Sequence, residues 1–244
     1  MKKITSVVLL SLCIFLITDC QGQGILGGAK KALNSIKGGS GTSLSSDDIV
    51  AGLKEALSRG AQKSGDKLSA VDGFFKDAAV KILLPPEAAK VEKALRSAGF
   101  GRQVDDAILS LNRAAEDAAK SAAPIFLNAV KGMTVSDGLG ILKGPDTAAT
   151  AYLRKSTTTQ LTAAFRPVID TSLQKTGATK YWKTVFETYN KLPLVSKVNP
   201  DLSSYATQKA MDGVFYYVAQ EEKNIRQNPA AQVTDLLKKV FGSK

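Results

Sequence analysis

From Ser46 onward, apolar residues recur at intervals of three and four, the period of an α-helix with one buried face. Ile49, Leu53, Ala56 and Leu57 form the first such face, opened by Ser46, Asp47 and Asp48, whose side chains suit the free N–H groups of a helix start. Leu68, Val71, Phe74, Phe75 and Ala78 continue the same period. Residues 80–84 read as a short extended run, which Pro85-Pro86 ends. A helix then carries Val91, Leu95 and Ala98 until Gly99 and Gly101 break it. The next helix, with Val104, Ile108, Leu111, Ala115 and Ala118 on one side, is rich in alanine, so a neighbouring helix is expected to approach closely.

Thr134 and Asp137 have the spacing of a capping box with Asp in place of Glu, and Gly144-Pro145 is a stop. Asp146 is expected to cap a segment holding Ala149, Tyr152 and Leu153. Further helices are predicted around residues 161–175, 178–191, 203–226 and 229–241. Sustained alternation with period two is absent. The pattern predicts an all-α multi-helix bundle, a single helical domain over residues 47–244.

Two halves of this domain, 46–144 and 158–242, match in places. Residues 48–65 align without gaps on 160–177, pairing Ile49 with Leu161, Leu53 with Phe165, Leu57 with Ile169 and Gly65 with Gly177. Asn112-Arg113-Ala114-Ala115-Glu116 then falls on Gln208-Lys209-Ala210-Met211-Asp212, and Val135-Ser136-Asp137 on Val233-Thr234-Asp235. Duplication would give two pseudo-symmetric halves and bring the two polar groups together at the pseudo-axis. The alternative is that amphipathic helices resemble one another by composition.

The N-terminal 46 residues follow a different pattern. Lys2 and Lys3 precede an apolar stretch over residues 4–17 and then Cys20, the order of a secretory signal over residues 1–20. Cys20 sits where a bacterial lipoprotein carries its acylated cysteine, although Asp19 replaces the small residue expected before it. The expectation is export to the periplasmic face of the cell envelope, with a membrane anchor on Cys20; cleavage after Gly22 would instead release a soluble form. Residues 21–46 are glycine-rich and read as a tether.

Composition narrows the chemistry. A chain of 244 residues with 44% apolar and 23% charged residues can bury a core and is not disordered throughout. It contains no histidine, and its two cysteines both lie within the first 20 residues. Triads, metal sites and proton shuttles that need imidazole are therefore excluded, as is a Cys/His zinc site in the body. Neither a metal nor a cofactor is expected. The net charge of +11 is spread rather than clustered or interleaved with stacking aromatics, so nucleic acid is not the expected partner.

Several segments carry a resemblance. Gly52-Leu53-Lys54-Glu55-Ala56-Leu57, Asp72-Gly73-Phe74, Asn112-Arg113-Ala114-Ala115-Glu116, Ile141-Leu142-Lys143-Gly144 with Ala148-Ala149-Thr150, and the run from Thr234 to Gly242 occur in one order. Together they resemble the bacterial family catalogued as domain of unknown function 4197, from about Ser46 onward. The resemblance implies an exported helical protein and transfers no catalytic residue.

Three groups are candidates for function. Asn112, Arg113 and Glu116 place an amide, a guanidinium and a carboxylate on one helix, with Asn112 and Glu116 four apart on one face. They are either a polar ligand site, with Glu116 as acid or base of a hydrolase or transferase, or an ion pair that fixes helix register. Lys209 and Asp212 are the matching pair in the second half. Trp182 and Tyr216 belong to an aromatic concentration in two C-terminal helices, which suits an apolar ligand pocket or core packing. Ser64-Gly65-Asp66-Lys67, Ser136-Asp137-Gly138 and Lys175-Thr176-Gly177 copy the motif order of penicillin-binding enzymes, but the last triplet falls at a helix end rather than on a strand. The preferred reading is a non-catalytic binding module for an apolar ligand or an envelope partner.

Overall fold

A computed structural model describes residues 45–191, 193, 194, 197–228, 232, 234, 238 and 240. The signal, the glycine-rich tether, Cys20 and most of the predicted helix at 229–241 lie outside these residues. The described chain is helical, with no strand.

Helix α1 (Ser46–Ser69) starts from Ser45, whose hydroxyl accepts from Asp48 N–H while the Asp48 carboxylate accepts from Ser45 N–H. A 3₁₀ turn (Pro86–Ala88) leads into α2 (Ala89–Ser97), and α3 (Gly101–Ala119) follows. Next come α4 (Ala122–Lys131), α5 (Val135–Lys143), the long α6 (Ala148–Lys175), α7 (Ala178–Tyr189) and α8 (Leu202–Gln227). The Thr134/Asp137 capping box forms as its spacing predicts.

Helix α6 is the centre of the bundle, packed by α3, α4, α5, α7 and α8. Leu161, Phe165, Ile169 and Leu173 recur every four residues along it, and each is fully buried. Burial of each such side chain stabilises by roughly 1.5–3 kcal/mol. Ala114, Ala115, Ala118 and Ala119 are also fully buried, and these small side chains let α3 approach its neighbours closely.

Three features depart from the sequence pattern. The apolar period runs on to Ala78, yet α1 stops at Ser69 and Val71 is exposed. Asp72 takes a left-handed φ of 69°, and a Cβ on Gly73 would lie 2.4 Å from the Lys67 carbonyl oxygen, so the chain turns where only glycine fits. Second, the threonine-rich stretch between Leu153 and Leu161 does not interrupt the helix. The Thr157, Thr158 and Thr162 hydroxyls donate to the carbonyls of Leu153, Arg154 and Thr158, absorbing polar groups that would otherwise compete with helix bonds.

Third, among the described residues the two spans 46–144 and 158–242 place their helix boundaries differently. Position 158 falls inside α6, and Gly65 lies within α1 whereas Gly177 follows the end of α6.

Candidate functional site

Asn112, Arg113 and Glu116 come together on α3, where they hold the irregular segment 70–84 against the bundle. Asn112 is fully buried: its amide oxygen accepts from Ile82 N–H at 2.8 Å, and its amide nitrogen donates to Ile82 O at 2.8 Å and to Ile108 O at 2.7 Å. Glu116 is 4% exposed, and its Oε1 accepts from the N–H groups of Phe74 and Phe75 at 3.1 and 3.2 Å. Its Oε2 accepts from Arg113 Nη1 at 2.6 Å, while Arg113 Nη2 reaches Asp72 Oδ1 at 2.7 Å. Asn112 and Glu116 thus serve backbone groups of a segment that lies in no helix or strand, and Arg113 ties Glu116 to Asp72.

Electrostatics follow from this geometry. Bonds from Lys76 and then Arg113 hold the Asp72 carboxyl below the usual carboxylate range. The Glu116 and Asp72 carboxylates raise the Arg113 pKa further above its ordinary value. Two cations lie over the Phe75 ring, with Lys81 Nζ 4.2 Å and the Arg113 guanidinium carbon 5.8 Å from its centroid.

A second anchor closes the segment's other side. Tyr217 donates its hydroxyl to Asp77 Oδ2, Lys67 Nζ lies 3.2 Å from the same oxygen, and Lys67 also sits 4.0 Å from the Tyr217 ring centroid. The Tyr217 hydroxyl, followed by the Ala79 N–H and Lys67, holds Asp77 below its ordinary value against the opposing effect of burial. Burial first, and then the bond to Asp77, pushes the Tyr217 phenol up. Tyr205 adds a bond from its hydroxyl to Leu83 O at 2.9 Å.

Sequence reasoning missed an equivalent device at the other end of the bundle. Glu222 on α8 accepts from the N–H groups of Ala149 and Thr150 at 3.0 and 2.8 Å and from the Thr150 hydroxyl. It therefore caps α6, the role expected of Asp146, which instead accepts from Gln227. Arg226, one turn along, pairs with Glu222 and donates to Ile141 O. Among the described residues its buried Nη1 has no hydrogen-bond partner. The readable signal is position: Val218, Glu222 and Ile225 share one helical face, so a carboxylate stands where the core stripe calls for an apolar residue.

The other candidates lie elsewhere. Gln208 donates to Asp212 at 3.1 Å, which realises the predicted spacing, but Gln208 and Lys209 are exposed and the Asp212 side chain is 44% exposed. Lys209 lies 5.9 Å from the Tyr205 ring centroid. This solvent-facing pair is not the counterpart of the buried α3 trio, and the two groups do not converge. Trp182 packs on Phe186 with centroids 4.3 Å apart and donates to Asn199 O at 3.0 Å. Tyr216 meets Tyr217 edge to face, and Phe215 packs on Phe126, so the aromatics divide among separate contacts rather than lining one pocket. Arg154 stacks 4.3 Å from the Phe215 centroid, and Arg166 pairs with Asp201 at 2.7 Å. Ser64 is buried and donates to Gly60 O.

Among the described residues, no group of three His, Cys, Asp or Glu side chains is placed to hold a metal ion. Open surface grooves among the described residues include one of about 610 Å³ along α6 at Thr158, Thr162, Arg166 and Asp170 and one of about 440 Å³ beside α2. Neither contains the α3 trio. No curated protein and no solved structure matches the chain. The family described as protein of unknown function (DUF4197) matches over residues 43–242, in keeping with the segments singled out above, and the chain belongs to that family.

Proposed function

We propose that the protein is an exported, non-catalytic binding module, lipid-anchored at Cys20 on the periplasmic face of the envelope, that engages an envelope component through its surface. The observation that carries this reading is the occupancy of Glu116. One oxygen is filled by two backbone N–H groups and the other by Arg113, in a side chain 4% exposed, which leaves no open face from which to take a substrate proton. Asn112 is equally engaged by Ile82 and Ile108. The aromatic side chains that suited an apolar pocket pack on one another or on backbone. The groups free to meet a partner are then those on the outside of the helices.

Native mass spectrometry of the protein purified from its own host tests this reading. The expected species is the chain with acyl groups on Cys20 and no retained small molecule, and Cys20→Ser lets a high-salt wash remove the protein from the membrane fraction. A stoichiometric small molecule, or a reaction abolished by Glu116→Gln in a still-folded variant, would establish the ligand-site or enzyme reading instead.

A further inference from the structure

We infer that α7 and the turn after it form a docking surface for an anionic lipid bilayer, an inference that rests on the surface-binding reading above and names its partner. The inner side of this element is pinned. Trp182 and Phe186 are buried, Trp182 bonds Asn199 O, and the Asn190 side chain bonds both the N–H and the C=O of Val198 at 2.9 and 2.7 Å. The outer side presents apolar groups to solvent. Tyr181 and Val185, one helical turn apart, are 71% and 42% exposed, and Leu194 in the following turn is fully exposed. Leu194 also holds a left-handed φ of 62°, a conformation that a leucine adopts only at a cost.

The charge of this segment is predominantly positive. Residues 178–200 contain Lys180, Lys183, Lys191 and Lys197 against a single carboxylate, Glu187. Lys183 lies 3.8 Å from Glu187, whereas Lys180, Lys191 and Lys197 are exposed and make no ion pair among the described residues. A positive rim around a few exposed apolar side chains complements a negative bilayer surface.

Two observations favour lipid over an acidic protein. All the cations are lysines, with no arginine in 178–200, whereas protein interfaces enrich arginine and deplete lysine. Lysine stems lie along apolar surface with the ammonium in the headgroup layer, and tyrosine suits the same boundary. The patch also rests on three apolar side chains, fewer than a stable protein interface requires. Among the described residues no single helix is long and apolar enough to cross a membrane, so the contact inferred is along the surface.

Amide hydrogen exchange on the full chain, with neutral phosphatidylcholine vesicles, with vesicles containing phosphatidylglycerol and with native envelope membranes, tests the inference. An acyl anchor acts alike on neutral and anionic vesicles and in every variant, so it cancels in the comparison. The expected result is protection over 178–197 on anionic vesicles only, reversed by salt. Lys180→Glu/Lys191→Glu/Lys197→Glu should weaken this anionic component on the order of 100-fold, from about 5-fold per lysine lost. Tyr181→Ser/Val185→Ser/Leu194→Ser should weaken it with unchanged salt dependence; both variants alter exposed positions, and circular dichroism checks that they fold. Equal protection on neutral vesicles overturns the inference, as does protection that rises with protein concentration without lipid, which would identify a second copy as the occupant. Protection at 178–197 by envelope membranes but not by anionic vesicles also overturns it and leaves the binding-module reading standing with a protein partner. Absence of protection there in every condition overturns the inference, and absence of protection by envelope membranes at every described amide overturns the binding-module reading as well.

Discussion

Replacing Glu116 by alanine removes one acceptor from three donors at once. Arg113 keeps Asp72 at 2.7 Å and is 38% exposed, so its guanidinium turns to Asp72 and to water, and the full 3–5 kcal/mol for an abandoned buried charge does not apply. The larger loss is at the backbone. Phe74 N–H is buried and finds no other acceptor, which costs about 1–3 kcal/mol, while the part-buried Phe75 N–H recovers some hydration. A cavity the size of the deleted carboxylate adds to this. The sum is about 3 kcal/mol, or a fall in Tm of roughly 6–12 °C for a domain of this size. Thermal and urea unfolding followed by circular dichroism measure it, with Asp212→Ala as a control expected within about 0.5 kcal/mol of the parent. An alanine variant at 116 that melts within a degree or two of the parent would refute the assignment of Glu116 as a structural anchor.

Other substitutions probe the same architecture. Asn112→Ala strands both polar groups of Ile82 and should cost about 2–4 kcal/mol in urea unfolding. Gly213→Ala places a Cβ 2.5 Å from Phe74 Cε1 and should cost about 1–3 kcal/mol through overpacking, read as a lower denaturation midpoint at unchanged m-value. Glu222→Gln weakens the cap on α6 and leaves Arg226, 5% exposed, without its carboxylate; a loss of about 3–5 kcal/mol by the same assay is expected. Because Tyr217 helps hold Asp77 below its unfolded value of about 3.9, this stabilisation is full above pH 4 and is lost as pH falls through the depressed folded value. Tyr217→Phe should therefore destabilise at pH 7 but lie close to the parent in acid, as unfolding measured across pH 2–7 would report.

Helices were legible because each had to bury one stripe, and burial imposes a period that local sequence records. The Thr134 cap was legible at the same range, since cap and partner are three residues apart, whereas the first helix starts from Ser45, one residue before the Ser46 that the pattern indicated. The α3 trio stood out because Asn112 and Glu116 share a face among alanines. What they bind was not legible: Ile82 lies 30 residues away from Asn112, and Phe74 lies 42 from Glu116. Apolar periodicity through Ala78 pointed to more helix, and only the Asp72-Gly73 turn and its anchors show that Phe74 enters the core from an irregular segment. The same limit hid Glu222, whose partners Ala149 and Thr150 start a helix more than 70 residues earlier. Matching 112–116 with 208–212 failed because equal spacing on two helices does not fix which face is turned inward.

Residues 70–84 are either locked by α3 or free to move away and open the trio to a ligand. Amide exchange of the full chain as a function of denaturant measures this at Phe74, Phe75 and Ile82. Locked amides exchange only through global unfolding, with the same opening free energy and denaturant dependence as the core of α6, even though they lie outside any helix. Exchange at these three amides by a low-energy, denaturant-independent opening would contradict the account, because Asn112, Arg113 and Glu116 would then be exposed in the native protein.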